Sequence, residues 1–512
     1  MGKITACPAY GAGSERMPTA LVRRPRVCYP PPPTAASPFQ GRVIVWARSR
    51  KGIRIMPFQV LREHLRRPAV AWYVLALMIA GGIWFVTVYG FTMPHVDEWL
   101  WVPVVVGKEP VTLSWLWSLF NEHRMFLPRL IYLGLGALTH FNFRAGAYYN
   151  ILTLSGLSFA MMWVARRLRG HTIAYDAFFP LVLLHWAQCE NIVWGFQLNF
   201  ITAVVLAGAV LLAIARCGPR LAVLPALFVT VCLTGLGLCG LYGLAYLPAL
   251  ACWLLFAGGC RWREATLHHR RDGLLLMFFG LAPLALVGGY FVDFPFPVCQ
   301  SSNVSASLVT ACQFLSGGMG RAAKETWPVS GLIVPSALIY SLGQLYQVFR
   351  TQPQERLRAA GLFCFLGGVG SLTLAIAMGR PGCGFETRYM TLAAPLMCLF
   401  YLQFTLYGAP AVKVRLQHAL ALLMWILLVI NTQKGLCFAR SYVAPWPQFE
   451  HDVRCGLSTS ELASRYDQEL GLPLSTDVFA QRLDMLREAR LGPYRYVDDD
   501  FNVASAKRTN LR

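Results

Sequence analysis

Residues 69–91 read Ala-Val-Ala-Trp-Tyr-Val-Leu-Ala-Leu-Met-Ile-Ala-Gly-Gly-Ile-Trp-Phe-Val-Thr-Val-Tyr-Gly-Phe, with no charged side chain among them. An unbroken apolar run of about 20 residues is the length of helix that crosses the hydrocarbon core of a bilayer. Similar blocks recur along the 512-residue chain. Lipid admits only helices and closed barrels, because neither leaves backbone polar groups unpaired, and these runs lack the alternation of a barrel strand. Composition agrees, with 56% hydrophobic and 14% charged residues, where a soluble domain carries roughly a quarter charged. The fold class read from this is all-α, a polytopic transmembrane helix bundle.

The net charge of +21 raises the question of nucleic acid. Lys and Arg, however, gather in short clusters between apolar blocks, as the positive-inside rule expects of cytoplasmic loops. No basic helix with interleaved aromatics is present, so the bilayer is read as a partner and nucleic acid is not. Most of the fifteen cysteines fall inside apolar blocks, where Cys acts as a small hydrophobe. With no CxxC or HExxH, a structural zinc site has no support.

Residues 1–68 are polar, basic and proline-rich (Pro30 to Pro33), and are expected to form a disordered cytoplasmic tail without a signal-peptide core. Met56 opens a second leader directly before the first span, so whether residues 1–55 are translated is a question for peptide mass mapping. His64, Arg66 and Arg67 precede residues 69–91, which sets that span running from inside to outside. The stretch 93–144 holds Trp99, Trp101, Trp115, Trp117 and a short apolar piece, 126–141, broken by Pro128 and Arg129. If that piece spanned, Arg166, Arg167 and Arg169 would face outside and every later basic cluster would invert. It is therefore expected to form helices lying in the outer interface. Spans at 145–165, 177–186, 198–215, 221–238, 241–257, 273–292, 329–348, 359–378, 390–407 and 418–431 follow, about eleven in all. The core domain is thus 69–432. Residues 433–512 form a small extracytoplasmic helical tail, signalled by a capping box at Ser458-Thr-Ser-Glu461 and by the spacing of Phe479, Leu483 and Leu486.

Three polar clusters meet the outer face: His95-Val-Asp97-Glu98-Trp99, Gln188-Cys-Glu190-Asn191, and Gly379-Arg380-Pro-Gly-Cys-Gly-Phe-Glu386-Thr-Arg388-Tyr389. Ionised groups near a membrane are costly and tend to be functional. Adjacent carboxylates at Asp97 and Glu98 repel, which suits one of them to act as a base or metal ligand; the alternative is an interfacial loop whose acids face water. Asn121-Glu122-His123-Arg124 and Arg129 place cations and an acid on the interface helices, fit for phosphate contacts or for headgroup anchoring. Arg388 and Tyr389 stand at the head of a span, able to hold a phosphate or to snorkel. Cys299 and Cys312 share one outer loop and Cys437 and Cys455 share the tail; their disulfide state stays open.

In layout, residues 69–431 resemble the GT-C glycosyltransferases, the superfamily of protein O-mannosyltransferases, the aminoarabinose transferase of lipid A and oligosaccharyltransferases. The likeness rests on an acidic pair just after the first span, a long first outer loop with interface helices, an acid in the second outer loop and a later outer Arg-Tyr. It implies a plasma (inner) membrane enzyme that moves a sugar from a polyprenyl-phosphate donor to a glycan, lipid or protein acceptor on the outer face. Asp97, with Glu98 beside it, would match the first-loop acid, Glu190 the second-loop acid, and Arg388 the cation on the donor phosphate. The residues themselves establish no cofactor; some relatives carry a divalent metal on these acids and others do not. The Asp-Glu order occurs in only some relatives, and the C-terminal segment is shorter than the large soluble domains of others. The competing readings are a transporter or flippase of lipid-linked saccharide, a polysaccharide polymerase or ligase, and a structural membrane protein.

Overall fold

The chain is described here by a computed structural model, which covers residues 68–264, 266–295, 303–470 and 472–496. The tail expected over 1–68 and Cys299 lie outside the described residues, Pro68 apart. Among these residues, apart from a two-stranded hairpin, β1 (Leu119–Phe120) and β2 (His123–Arg124), the secondary structure is helical.

Among the described residues, eight helices are long and apolar enough to cross a membrane. They are α1 (Ala69–Tyr89), α4 (Leu198–Arg216), α6 (Leu247–Trp262, extended by a short turn from Leu241), α7 (Leu267–Tyr290), α9 (Val329–Thr351), α10 (Arg356–Gly379), α11 (Thr387–Tyr407) and α12 (Pro410–Val443). Among the others, α2 (Phe126–Thr139), α5 (Val223–Gly237) and α8 (Val304–Ser316) are apolar but shorter, and α3 (Arg144–Arg169) is long but more polar. Asn303 caps α8, its Oδ1 accepting from the Ser305 and Ala306 amides. The protein thus has the character of a multi-pass helical membrane protein.

Helix α11 is the axis of the bundle. Almost every residue from Thr387 to Thr405 is buried, against α4, α9, α12 and the segment that follows α3. The α6–α7 hairpin is drawn tight by glycines: a Cβ on Gly273 would meet the Trp262 backbone nitrogen at 2.6 Å, and one on Gly258 the Gly273 carbonyl at 2.8 Å. Small residues at such crossings let helix backbones touch in lipid, where van der Waals packing replaces the hydrophobic drive.

The expected span at 177–186 takes a different form. Only Phe178–Leu183 is α-helical there, followed by short pieces at Trp186–Gln188, Cys189–Val193 and Gly195–Gln197. Six residues of helix reach only about 9 Å. The segment nevertheless runs the length of α11's core face. At one end Asp176 accepts from the Tyr401 hydroxyl at 2.8 Å and from Arg169 at 2.6 Å. At the other, Asn191 Nδ2 donates to the Arg388 carbonyl at 2.9 Å and to Thr391 Oγ1 at 2.7 Å. Broken backbone of this kind is tolerated at membrane depth only where protein surrounds it, and residues 177–185 are all buried.

Two further corrections concern loops. The Asn121–Arg124 stretch, expected on an interface helix, is the turn and second strand of the β1–β2 hairpin, with Asn121 at φ +51. The last span, expected to end at 431, continues as one helix to Val443. The tail itself follows the sequence pattern. Ser458 and Glu461 form the reciprocal cap of α14 (Thr459–Tyr466), after α13 (Trp446–Arg454), while Phe479, Leu483 and Leu486 are the buried stripe of α15 (Thr476–Glu488). That stripe packs on Trp99, Trp101, Val102 and Val105 in one shared core. Cys437 and Cys455 are free and exposed, and Cys312 stands on α8.

Candidate active site

The first wall of the site is made where α1 stops. Gly90 leaves the helix in an extended conformation, and the chain re-enters a 3-10 turn at Val96–Trp101. The His95 amide donates to Glu98 Oε2 at 2.8 Å, and the Glu98 amide donates back to the His95 carbonyl at 3.0 Å. This reciprocal cap turns Glu98 inward, 2% exposed, and leaves Asp97 on the open side. Val96, a β-branched residue, sits at φ +42, a conformation that costs roughly 1–3 kcal/mol and persists only where neighbours over-determine it. Here the neighbours are Trp99 and Trp101, both buried, and the His95 ring, stacked at 3.9 Å on Phe91 and met edge-on by Trp194, Tyr442 and Trp446.

The β1–β2 hairpin is the second wall, and the Arg380 loop with the head of α11 is the third. Between them lies a recessed cavity of about 90 Å³ lined by Asp97, Glu122, His123, Arg380, Arg388 and Tyr389, with Asn121, Gln197 and Tyr242 completing the polar rim. Glu122 forms an ion pair with Arg380 across the mouth. His123 Nδ1 accepts from the Leu241 amide at 3.3 Å. Arg388 makes no ion pair among the described residues, and its Nε is buried without a hydrogen-bond partner. Glu190 stands just behind, near enough for its charge to act on Arg388, Glu386, Arg321 and Asp97.

The broken segment holds Glu190 in register with α11. Asn191 ties to Arg388 and Thr391 as described, Asn150 Nδ2 donates to the Asn191 carbonyl at 2.9 Å, and Thr391 hydrogen-bonds Gln188. Gln188 in turn donates to the Leu183 carbonyl at 2.5 Å. Arg321 donates to Thr387 Oγ1 at 3.2 Å and lies over the Phe438 ring.

Burial dominates the electrostatics. It raises Asp97 to about 6, against an opposing pull from the Arg388 charge. Glu98 is raised to about 8 by burial, partly offset by the His95 amide. His95 falls to about 3 by burial, and His123 to about 4, burial outweighing the neighbouring Glu122. Burial thus lifts Glu98 further than Asp97, which makes Asp97 the acid of the pair that loses its proton more readily, and it holds both histidines toward the neutral form.

Of the residues singled out from sequence, Asp97, His123, Arg380, Arg388 and Tyr389 line the one cavity, with Glu190 beside it. Three do not. Glu98 is spent on the turn. Arg124 donates to the carbonyls of Trp117 at 2.9 Å, Tyr290 at 3.0 Å and Val292 at 2.7 Å. Arg129 is wrapped by the carbonyls of Trp115, Leu116 and Ser118 and lies over the Trp101 and Trp115 rings. Both guanidiniums bind backbone carbonyls, where phosphate contacts or headgroup anchoring were expected. Arg321, Asn191, Gln188 and Thr391 had no role assigned from sequence; a lone Arg between apolar helices and amides inside an apolar run were the only signals. As to a metal, no three His, Cys, Asp or Glu side chains converge among the described residues, and a guanidinium near Asp97 and Glu190 makes a poor neighbour for a divalent cation. No family model, curated protein or solved structure matches the chain.

Proposed function

We propose that the protein is a membrane glycosyltransferase of GT-C type, moving a sugar from a polyprenyl-phosphate donor to an acceptor hydroxyl at the outer face of the plasma membrane. The observation that carries this reading is a single recessed cavity that joins a carboxylate, Asp97, to a guanidinium, Arg388, that makes no ion pair among the described residues. Asp97 takes the proton of the acceptor hydroxyl as its oxygen bonds the anomeric carbon. The bond from that carbon to the phosphate oxygen breaks, and the lipid phosphate leaves with the electron pair. Arg388, seconded by Arg380, meets the charge gathering on that phosphate in a site from which water is largely excluded. Glu190 and Arg321 orient Arg388 and the head of α11.

At about 90 Å³ the cavity is smaller than the roughly 300 Å³ at which ligand pockets begin. The closed hairpin must lift to admit a sugar, and the Glu122–Arg380 pair is its latch. Arg380 is thereby released toward the donor phosphate when the latch opens.

The topology that goes with this reading has eleven crossings: the eight long apolar helices, α3, α5 and the broken segment before α4. It puts the N-terminus in the cytoplasm and the tail outside. The basic residues Arg166, Arg167, Arg216, Arg261, Arg270, Arg271, Arg350 and Arg356 then share the cytoplasmic face.

The test is transfer of labelled sugar from a panel of polyprenyl-phosphate donors in proteoliposomes. Asp97→Asn is expected to lower transfer about 10²–10⁴-fold, the usual worth of a general base, and Arg388→Gln about 10²-fold or more, both with normal insertion. Translocation of labelled lipid without transfer by the wild-type protein would instead favour a flippase.

A further inference from the structure

A second cavity, of about 760 Å³, opens at the end of the bundle away from Asp97. It lies between the C-terminal halves of α3 and α4 and the first turns of α5. Its walls are Phe159, Trp163, Leu212, Leu224 and Phe228, over a floor of small residues such as Ala209. The volume sits within the roughly 300–1,000 Å³ range of small-molecule sites. Leu224 is 76% and Phe228 50% exposed, so the groove opens sideways toward lipid rather than along the bundle axis.

Its rim has a distinct chemistry. Arg216 and Arg220 stand at the mouth, and Arg166 and Arg167 lie over the Trp163 ring at 5.5 and 5.0 Å. Glu264 offsets only part of this charge: it pairs with Arg220 at 3.1 Å, while Arg216 makes no ion pair among the described residues. An apolar slot leading to a guanidinium cluster matches one kind of molecule, an acyl chain attached to an anionic headgroup, and guanidinium forks suit phosphate oxygens.

We propose that this groove is a binding site for an anionic phospholipid, with one acyl chain lying along α4 and the phosphate held by Arg216 and Arg220. The site is separate from the one that would take the sugar donor. The 19 residues of α4 place Arg216 about 27 Å from the helix's other end, so one phosphate cannot serve both Arg216 and Arg388. The inference therefore stands whether or not the protein transfers sugar.

The experiment is native mass spectrometry of the full-length protein in detergent, titrated with phosphatidylglycerol, phosphatidylcholine or undecaprenyl phosphate. Two variants are compared with wild type: Arg216→Gln/Arg220→Gln, which removes the rim charge, and Ala209→Phe, which fills the floor. Wild type is expected to retain phosphatidylglycerol at least about tenfold more tightly than phosphatidylcholine, each surface arginine being worth roughly a fivefold change. The double variant should lose that preference, and Ala209→Phe should weaken both phospholipids. A thermal melt of each variant, unchanged from wild type, shows that the fold survives. Equal retention of the two phospholipids, or a preference that persists in the double variant, overturns the proposal. So does tighter binding of undecaprenyl phosphate than of phosphatidylglycerol, lost in the same variant, which would make the groove a polyprenyl site.

Discussion

Asp97 and Glu98 are neighbours in sequence with opposite fates, and the reason is one hydrogen bond. The His95 amide, at 2.8 Å from Glu98 Oε2, fixes Glu98 as the inward residue of the turn and so turns Asp97 outward. Both acids, raised to about 6 and about 8, bind more protons in the folded than in the unfolded state between pH 4 and 8. Stability contributed by protonation is therefore full below about pH 4 and is lost as pH rises through the folded values. Glu98→Gln keeps the acceptor for the His95 amide and cannot ionise. It is expected to raise stability at pH 8 by roughly 2–4 kcal/mol and to leave stability at pH 4 nearly unchanged, as read from denaturation midpoints at the two pH values. Transfer activity should respond differently. Its acid limb should follow Asp97, with kcat/KM rising through about pH 6 in both wild type and Glu98→Gln. Loss of transfer in a folded Glu98→Gln protein would make Glu98 the base.

Short elements were the least legible part of the sequence. Long uncharged runs announce themselves, so α1, α4, α9, α10 and α11 lie within three residues of the expected ends, while α7 begins six residues earlier, its first turns carrying Arg270, Arg271 and Asp272. The β1–β2 hairpin has two residues in each strand, too few for any periodicity to register. Residues 177–186 read as one short span because their apolar content is that of a helix; there the helix gives way to short pieces, and the amides of Gln188 and Asn191 just beyond it bond to α11. Arg124 and Arg129 could not be told from Arg388 by residue type, since a guanidinium serves three backbone carbonyls as readily as a phosphate. Only position separated them: Arg388 begins an enclosed helix facing a cavity. The hairpin gives a test at its own scale. Glu122→Gln breaks a half-exposed ion pair, so global stability should change by less than about 1 kcal/mol. Amide exchange across residues 119–124 should nevertheless speed up several-fold as the latch opens. Arg124→Met leaves three carbonyls without their donor and should cost about 2–4 kcal/mol of stability, seen as a lower melting temperature. Exchange at the hairpin unaltered by Glu122→Gln would remove the latch from the mechanism.

At the scale of the whole molecule, the described residues form two cores, and the second bears on the site. One core fills the bundle around α11. The other joins the end of α1, the Asp97 turn and the C-terminal helices, with Phe479 edge-on to Trp99 at 4.9 Å and against Phe449. Hydrogen bonds and charges tie the same pieces: Thr92 to Glu450, and Lys108 to Glu488 at 2.9 Å. The strained Val96 backbone that presents Asp97 is thus clamped from one side by helices more than 350 residues later in the chain, the Thr92–Glu450 separation being 358. Among its described residues the tail lines no part of the cavity, yet it braces the turn that carries Asp97. Phe479→Ala removes the ring beneath Trp99 at a cost of about 3–5 kcal/mol. That loss falls on the second core and leaves the bundle's own packing intact. Expected consequences are a protein that inserts normally, a tail cut by limited proteolysis beyond Val443, and sugar transfer down at least about tenfold, since an angstrom of drift in a catalytic group costs that much or more. Transfer at the wild-type rate with a protease-sensitive tail would mean that the first loop holds Asp97 unaided.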